Sequence, residues 1–123
     1  MKGRVLVCGA GGRLGASVVE VFAGCEVIAH TRATLDVTDP DSIAAAAAAL
    51  AQETGRLDML VNNAGYGLYG AVTDLSADEL RRQFDTNVIA PVQVARAFLS
   101  LMLPQRRGRI LNVGSVSGIL TTP

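Results

Sequence analysis

Apolar residues in this chain fall into two alternating textures: compact runs, and longer stretches spaced three and four apart. The first run, Arg4-Val5-Leu6-Val7-Cys8, predicts a buried strand. A glycine-rich stretch follows, Gly9-Ala10-Gly11-Gly12-Arg13-Leu14-Gly15. Residues 16–23 then take up helical spacing, with Leu14, Val18, Val21 and Phe22 near one face. Gly24 closes that helix. Glu26-Val27-Ile28-Ala29-His30 predicts a second strand, and Ala33-Thr34-Leu35-Asp36-Val37 a short third one. The link between those two is too short for a helix.

Asp39-Pro40-Asp41-Ser42 reads as a helix start. Asp39 can cap, Pro40 fits the first helical position, and Asp41 complements the dipole. Six consecutive alanines, residues 44–49, predict a smooth helix lying close to a sheet, because alanine combines high propensity with little bulk. Gly55 stops it. Leu57-Asp58-Met59-Leu60-Val61 predicts the next strand, which opens into Asn62-Asn63-Ala64-Gly65 and a loop carrying Tyr66 and Tyr69. Ser76 and Glu79 form a capping box that starts a helix predicted over residues 76–103. Its apolar stripe is Leu80, Phe84, Val88, Val92, Ala95 and Leu99, and Pro91 should kink it. Pro104 and Gly108 punctuate the exit. Residues 109–113 predict a fifth strand, followed by Gly114-Ser115-Val116-Ser117-Gly118 and a tail ending at Pro123.

Strands alternating with helices imply a doubly wound α/β domain on a parallel sheet. Right-handed crossovers leave few windings. The expected strand order, numbered along the chain, is 3-2-1-4-5, with the ligand crevice between strands one and four.

Composition narrows this picture without redirecting it. The chain has 123 residues, enough for one core, and half of them are apolar with few aromatics. That core must be mainly Ala, Val, Leu and Ile. Eleven acidic residues balance eleven basic ones, so no field favours nucleic acid or an anionic membrane. Arg106, Arg107 and Arg109 read as a solvated turn before a strand. Cys8 and Cys25 make neither a disulfide framework nor a zinc site, and no metal site is expected. Cys8 reads as a small buried hydrophobe. No signal peptide precedes the first strand and no apolar run reaches the ~20 residues of a membrane span, so a soluble, cytoplasmic protein is expected.

Chemistry concentrates first at the glycine stretch. Strand, glycine turn and helix in that order present backbone N–H groups and a helix dipole to a phosphate. A dinucleotide site at the N-terminus is therefore expected.

With the later motifs added, the chain resembles the short-chain dehydrogenase/reductase family. Gly9 to Gly15, Asp36-Val37, Asn62-Asn63-Ala64-Gly65, Asn87 and Ser115 all fall in the family's order. Residues 57–123 look like the 17β-hydroxysteroid-dehydrogenase-like branch, through Asn62-Asn63-Ala64-Gly65-Tyr66-Gly67 and Gly108-Arg109-Ile110-Leu111-Asn112-Val113. Residues 1–50 look more like extended members such as dTDP-4-dehydrorhamnose reductases, by the spacing of Gly9, Gly12 and Gly15 and by the abbreviated 31–36 link.

The resemblance implies a Rossmann-type NAD(P)-binding domain over 1–123 and hydride transfer between nicotinamide and a carbonyl or alcohol substrate. Gly9, Gly12 and Gly15 would face the pyrophosphate, with Arg13 and Leu14 supplying N–H groups. Arg32 stands where an acidic residue would bind the ribose 2′-OH, which favours NADP over NAD. Asp36 and Val37 resemble the adenine contacts. Asn62, Ala64 and Gly65 would line the inner side of the cofactor. Among the catalytic residues, Ser115 matches the serine that orients the substrate oxygen and Asn87 the asparagine that positions a relay water. His30 reads as a strand-end residue with a possible adenosine contact.

The family's tyrosine–lysine pair has no match here. Neither Tyr66 nor Tyr69 is followed four residues later by lysine, and Lys2 is the sole lysine. The expectation is an oxidoreductase truncated at its C-terminal side and inactive as it stands. A non-catalytic NAD(P)-binding module and an inactive remnant remain as alternatives. Uncovered strands four and five predict poor solubility or a partner, and in relatives the helix over 76–103 often forms a dimer interface.

Overall fold

A computed structural model describes residues 2–120. The start at Met1 and the last three residues of the expected tail lie outside them. Strand β1 (Arg4–Cys8) leads through the glycine turn into helix α1 (Arg13–Val21), and strand β2 (Glu26–His30) follows. Helix α2 (Pro40–Glu53) precedes strand β3 (Met59–Asn62). Helices α3 (Ala77–Phe84) and α4 (Ala90–Leu99) flank a π-helical turn, Asp85–Ile89, and strand β4 (Arg109–Asn112) closes the sheet. All pairings are parallel, in the order β2-β1-β3-β4. The doubly wound parallel architecture therefore holds.

The expected third strand does not form, so the sheet has four strands among the described residues rather than five in the order 3-2-1-4-5. Residues 31–35 make a turn instead: the Thr34 and Leu35 N–H groups both donate to the Thr31 carbonyl, at 3.1 and 2.9 Å. Local polar groups decide this outcome. The Thr34 hydroxyl donates to the Thr31 carbonyl, and the Asp36 carboxylate accepts from both the N–H and the hydroxyl of Thr38. Leu35 is thereby dropped into the core, 3% exposed.

Alternation along the strands sorts the core into two faces. Leu6, Cys8 and Leu60 meet Ile43 and Leu50 of α2 and Val94 and Phe98 of α4. Val5, Val7 and Val61 meet Val18, Val19 and Phe22 of the α1 segment on the other face. The predicted face of that helix needs correction, since Leu14 and Val21 are exposed. In the alanine-rich α2, Ile43, Ala46, Ala47 and Leu50 lie at 3–4 spacing and supply the packed face. Burial pushes the Cys8 thiol up to about 12, so it stays protonated and packs as an apolar group.

The helix predicted over 76–103 is also broken. Its start is as expected: the Ser76 hydroxyl accepts from the Glu79 N–H at 3.2 Å while the Glu79 carboxylate accepts from the Ser76 N–H at 2.8 Å. The Asp85–Ile89 turn then widens one turn ahead of Pro91, which lacks the N–H that an α-helix would aim at the Asn87 carbonyl. Helix α4 packs through Ala90, Val94 and Phe98, whereas Leu80, Phe84, Val88 and Val92 are exposed. The chain leaves α4 at Leu99 and makes a short 3₁₀ turn, Leu103–Gln105.

A charged cluster ties the opposite edge of the sheet. Asp58 accepts from the Arg4 N–H at 2.8 Å and from the Arg56 guanidinium at 2.8 Å, and Arg4 pairs with Glu26 at 2.7 Å. Burial raises the Asp58 pKa, but the bonds from Arg56 and Arg4 outweigh it and hold the carboxyl below its ordinary range.

Candidate functional site

The carboxyl ends of β1, β3 and β4 open into one cleft. All thirteen residues singled out from the sequence line it: Gly9, Gly12, Arg13, Leu14, Gly15, Arg32, Asp36, Val37, Asn62, Ala64, Gly65, Asn87 and Ser115. A crevice beyond the strand ends, where consecutive connections leave on opposite faces, is where open α/β sheets hold ligands.

The glycine turn is shaped by contact as well as by freedom. Gly9 has φ +72°, and a Cβ on it would lie 2.8 Å from the Ala64 Cα. A Cβ on Gly15 would overlap the Gly9 carbonyl oxygen and lie 2.8 Å from the Ala10 Cα. Over Gly12 the nearest atom is the Gly9 oxygen at 3.6 Å, so the outer side of the turn is open. No side chain caps α1, which starts directly after Gly12. Its first-turn N–H groups and positive dipole end are left for an anion in the cleft.

Arg32 stands just past β2 with its side chain 89% exposed, and its ion pair with Asp36 is long, 3.8 Å. The Asp36 carboxyl is held below the usual range, first by the Thr38 hydroxyl and N–H and then by Arg32. His30 does not line the cleft. Its Nδ1 lies 3.1 Å from the Thr34 hydroxyl, and burial lowers its pKa.

Asn62 is 6% exposed and structural in its contacts: its amide donates to Asn112 Oδ1 at 2.9 Å and to the Pro91 carbonyl at 3.3 Å. It thus joins β3 to β4 and α4. The Asn87 side chain is committed to the neighbouring loop. Its Nδ2 donates to the Tyr66 carbonyl at 2.7 Å, and its Oδ1 accepts from the Tyr66 N–H at 3.1 Å. Gly65 sits beneath this amide, 3.1 Å from Oδ1 to where a Cβ would be. Ser115 caps a 3₁₀ turn, Val116–Gly118, by accepting from the Ser117 N–H at 3.1 Å. Accepting that bond uses a lone pair and leaves the hydroxyl proton to donate.

Two polar contacts of the cleft escaped the sequence reading. Asn63 Nδ2 donates to the Gly9 carbonyl at 3.0 Å, and Gln83 Nε2 donates to the Tyr66 carbonyl at 3.4 Å. Each partner is distant in sequence, so spacing carries no signal for either bond.

Comparison with known proteins places the whole arrangement. Dehydrogenase/reductase SDR family member 7B of Bos taurus is 38% identical over 90 residues, 73% of this chain and 28% of that protein. 17-beta-hydroxysteroid dehydrogenase type 1 of Homo sapiens is 42% identical over 89 residues, 72% of this chain and 26% of that protein. A short-chain dehydrogenase from Streptomyces avermitilis superposes with a TM-score of 0.91 at 33% identity, covering 98% of this chain and 52% of that one. The chain thus spans roughly a quarter of the length of these curated relatives and about half of that solved structure. The family model described as short chain dehydrogenase matches residues 3–123. The chain belongs to the short chain dehydrogenase family.

Proposed function

We propose that this chain is the cofactor-binding portion of an NAD(P)-dependent oxidoreductase that moves hydride between nicotinamide and a carbonyl or alcohol carbon. One observation carries the reading: thirteen residues chosen from sequence, far apart along the chain, line a single cleft above a glycine turn whose outer side is open. The shape fits a pyrophosphate, because the N–H groups of Arg13, Leu14 and Gly15 begin α1 without a side-chain cap.

Bound in this cleft, the nicotinamide would supply or accept the hydride. Gly9, Gly12 and Gly15 keep the turn narrow enough for the pyrophosphate. Asp36 and Val37 line the adenine end, while Asn62, Ala64 and Gly65 line the inner wall. Arg32, weakly paired and exposed, favours a 2′-phosphate and hence NADP over NAD. Ser115 donates its free hydroxyl proton to the substrate oxygen. Asn87 positions water through its main-chain carbonyl rather than its amide. Its side chain is spent on Tyr66.

These 123 residues contain no Tyr-x-x-x-Lys, so they lack the proton donor whose assistance is typically worth ~10²–10⁴ in rate. A non-catalytic NAD(P)-binding module is the second reading. Fluorescence titration with NADPH and NADH, together with an NADPH-oxidation assay over a panel of aldehydes and ketones, tests both. Saturable binding, tighter for NADPH and without turnover, is expected of this chain. A folded chain that binds neither dinucleotide rejects both readings, and turnover rejects the role given to the missing pair.

A further inference from the structure

We propose that the outer edge of β4 is a dimerisation surface, on which a second copy of this chain pairs antiparallel about a twofold axis at Leu111. The inference is independent of what the cleft binds. β2 and β4 are the two edges of the sheet, and they differ in cover. Every residue of β4 is exposed, whereas β2 is exposed only at Glu26 and Ala29. Among the described residues nothing pairs with the outer side of β4.

The backbone pattern fixes what that edge offers. Arg109 and Val113 donate their N–H groups to the Asp58 and Asn62 carbonyls, both at 3.0 Å, so their backbone turns towards β3. Alternation then turns the N–H and C=O groups of Ile110 and Asn112 outward, with Leu111 between them facing in. An antiparallel copy centred on Leu111 sets Ile110 opposite Asn112 on both sides of the axis. Each of those pairs exchanges two N–H···O bonds. Within β4, no other antiparallel register satisfies all the outward groups of both strands.

The side chains agree with this register. Leu111 lies beside Val61, on the α1 face of the sheet, and is exposed there. On the axis the two Leu111 residues form a non-hydrogen-bonded pair, about 4.5 Å apart at Cα, and each covers the other. Arg109 falls opposite Val113 of the second copy, so the two guanidinium groups sit at opposite ends and no like charges meet. Residues 110–113 contain neither the proline nor the charge that commonly blunts an exposed edge.

Sedimentation equilibrium should show a monomer–dimer equilibrium. Amide exchange should show Ile110 and Asn112 protected in the dimer and released on dilution, while Leu111 and Val113 stay protected throughout. Ile110→Pro removes an outward donor and touches no bond to β3, a position where an edge strand accepts proline. It should weaken dimerisation about tenfold or more. Should Ile110→Pro fail to fold, Leu111→Lys sets two like charges against each other on the axis and carries the same readouts. A monomer at every concentration or a dimer that either folded variant leaves intact would overturn the proposal. So would protection of Ile110 and Asn112 that dilution does not change, the mark of a different occupant of the edge.

Discussion

On the proposed dinucleotide reading, Arg32 is the residue on which cofactor choice would turn. Its guanidinium is nearly fully exposed beside the cleft, and Asp36 holds it only loosely, with Oδ2 3.8 Å from Nε while Thr38 takes Oδ1. A free guanidinium matches a phosphate in both charge and fork geometry. Arg32→Ala should therefore weaken NADPH binding about tenfold or more and leave NADH binding nearly unchanged, as parallel fluorescence titrations would show. Equal loss for both dinucleotides would remove the 2′-phosphate assignment. At this scale the sequence was informative where backbone geometry dictates residue type, as at Gly9 and Gly15. It was silent about Asn63 and Gln83, whose bonds exist only once distant segments meet.

Elements were legible where a local signal is self-contained. Asp39 accepts from the Asp41 N–H at 3.0 Å as its capping pattern implies, and Ser76 and Glu79 close their box in both directions. Ser76→Ala should cost about 1 kcal/mol, read as a lower urea midpoint at unchanged slope. Where tertiary packing or side-chain competition rules, the pattern misled. Leu35 and Val37 alternate like a strand, yet the hydroxyls of Thr34 and Thr38 satisfy local backbone and carboxylate groups and leave a turn. Pro91 signalled a disturbance in the long helix. The form it takes, a π-helical turn carrying Asn87, depends on how the helix accommodates a missing donor, which residue spacing does not encode.

The whole molecule divides its work between two edges of one sheet. The carboxyl edge holds the cleft, and the opposite edge is tied by Asp58 with Arg4, Arg56 and Arg107. Because Asp58 has a lower pKa folded than unfolded, its stabilisation is present at neutral pH. It is lost as pH falls below about 4, through the folded value. Thermal melts between neutral and acid pH should show Asp58→Asn destabilised at neutrality, with a shallower acid decline than the unsubstituted chain. Identical declines would mean that the cluster contributes nothing to the acid limb.

Among the described residues no helix is long and apolar enough to cross a membrane, and β4 and the α3–α4 stripe leave Leu111, Phe84, Val88 and Val92 exposed. The relatives that share this half carry roughly as much chain again or more, so function has to be tested on what is present, the cleft. The most direct measurement is backbone amide mapping by NMR as NADPH is added. Saturable shifts are expected at Gly12 to Gly15, Arg32, Asn63 to Gly65 and Gly114 to Ser115, with the Asp58 edge unmoved. A folded chain whose amide signals do not move, or move only away from the glycine turn, would contradict the dinucleotide reading.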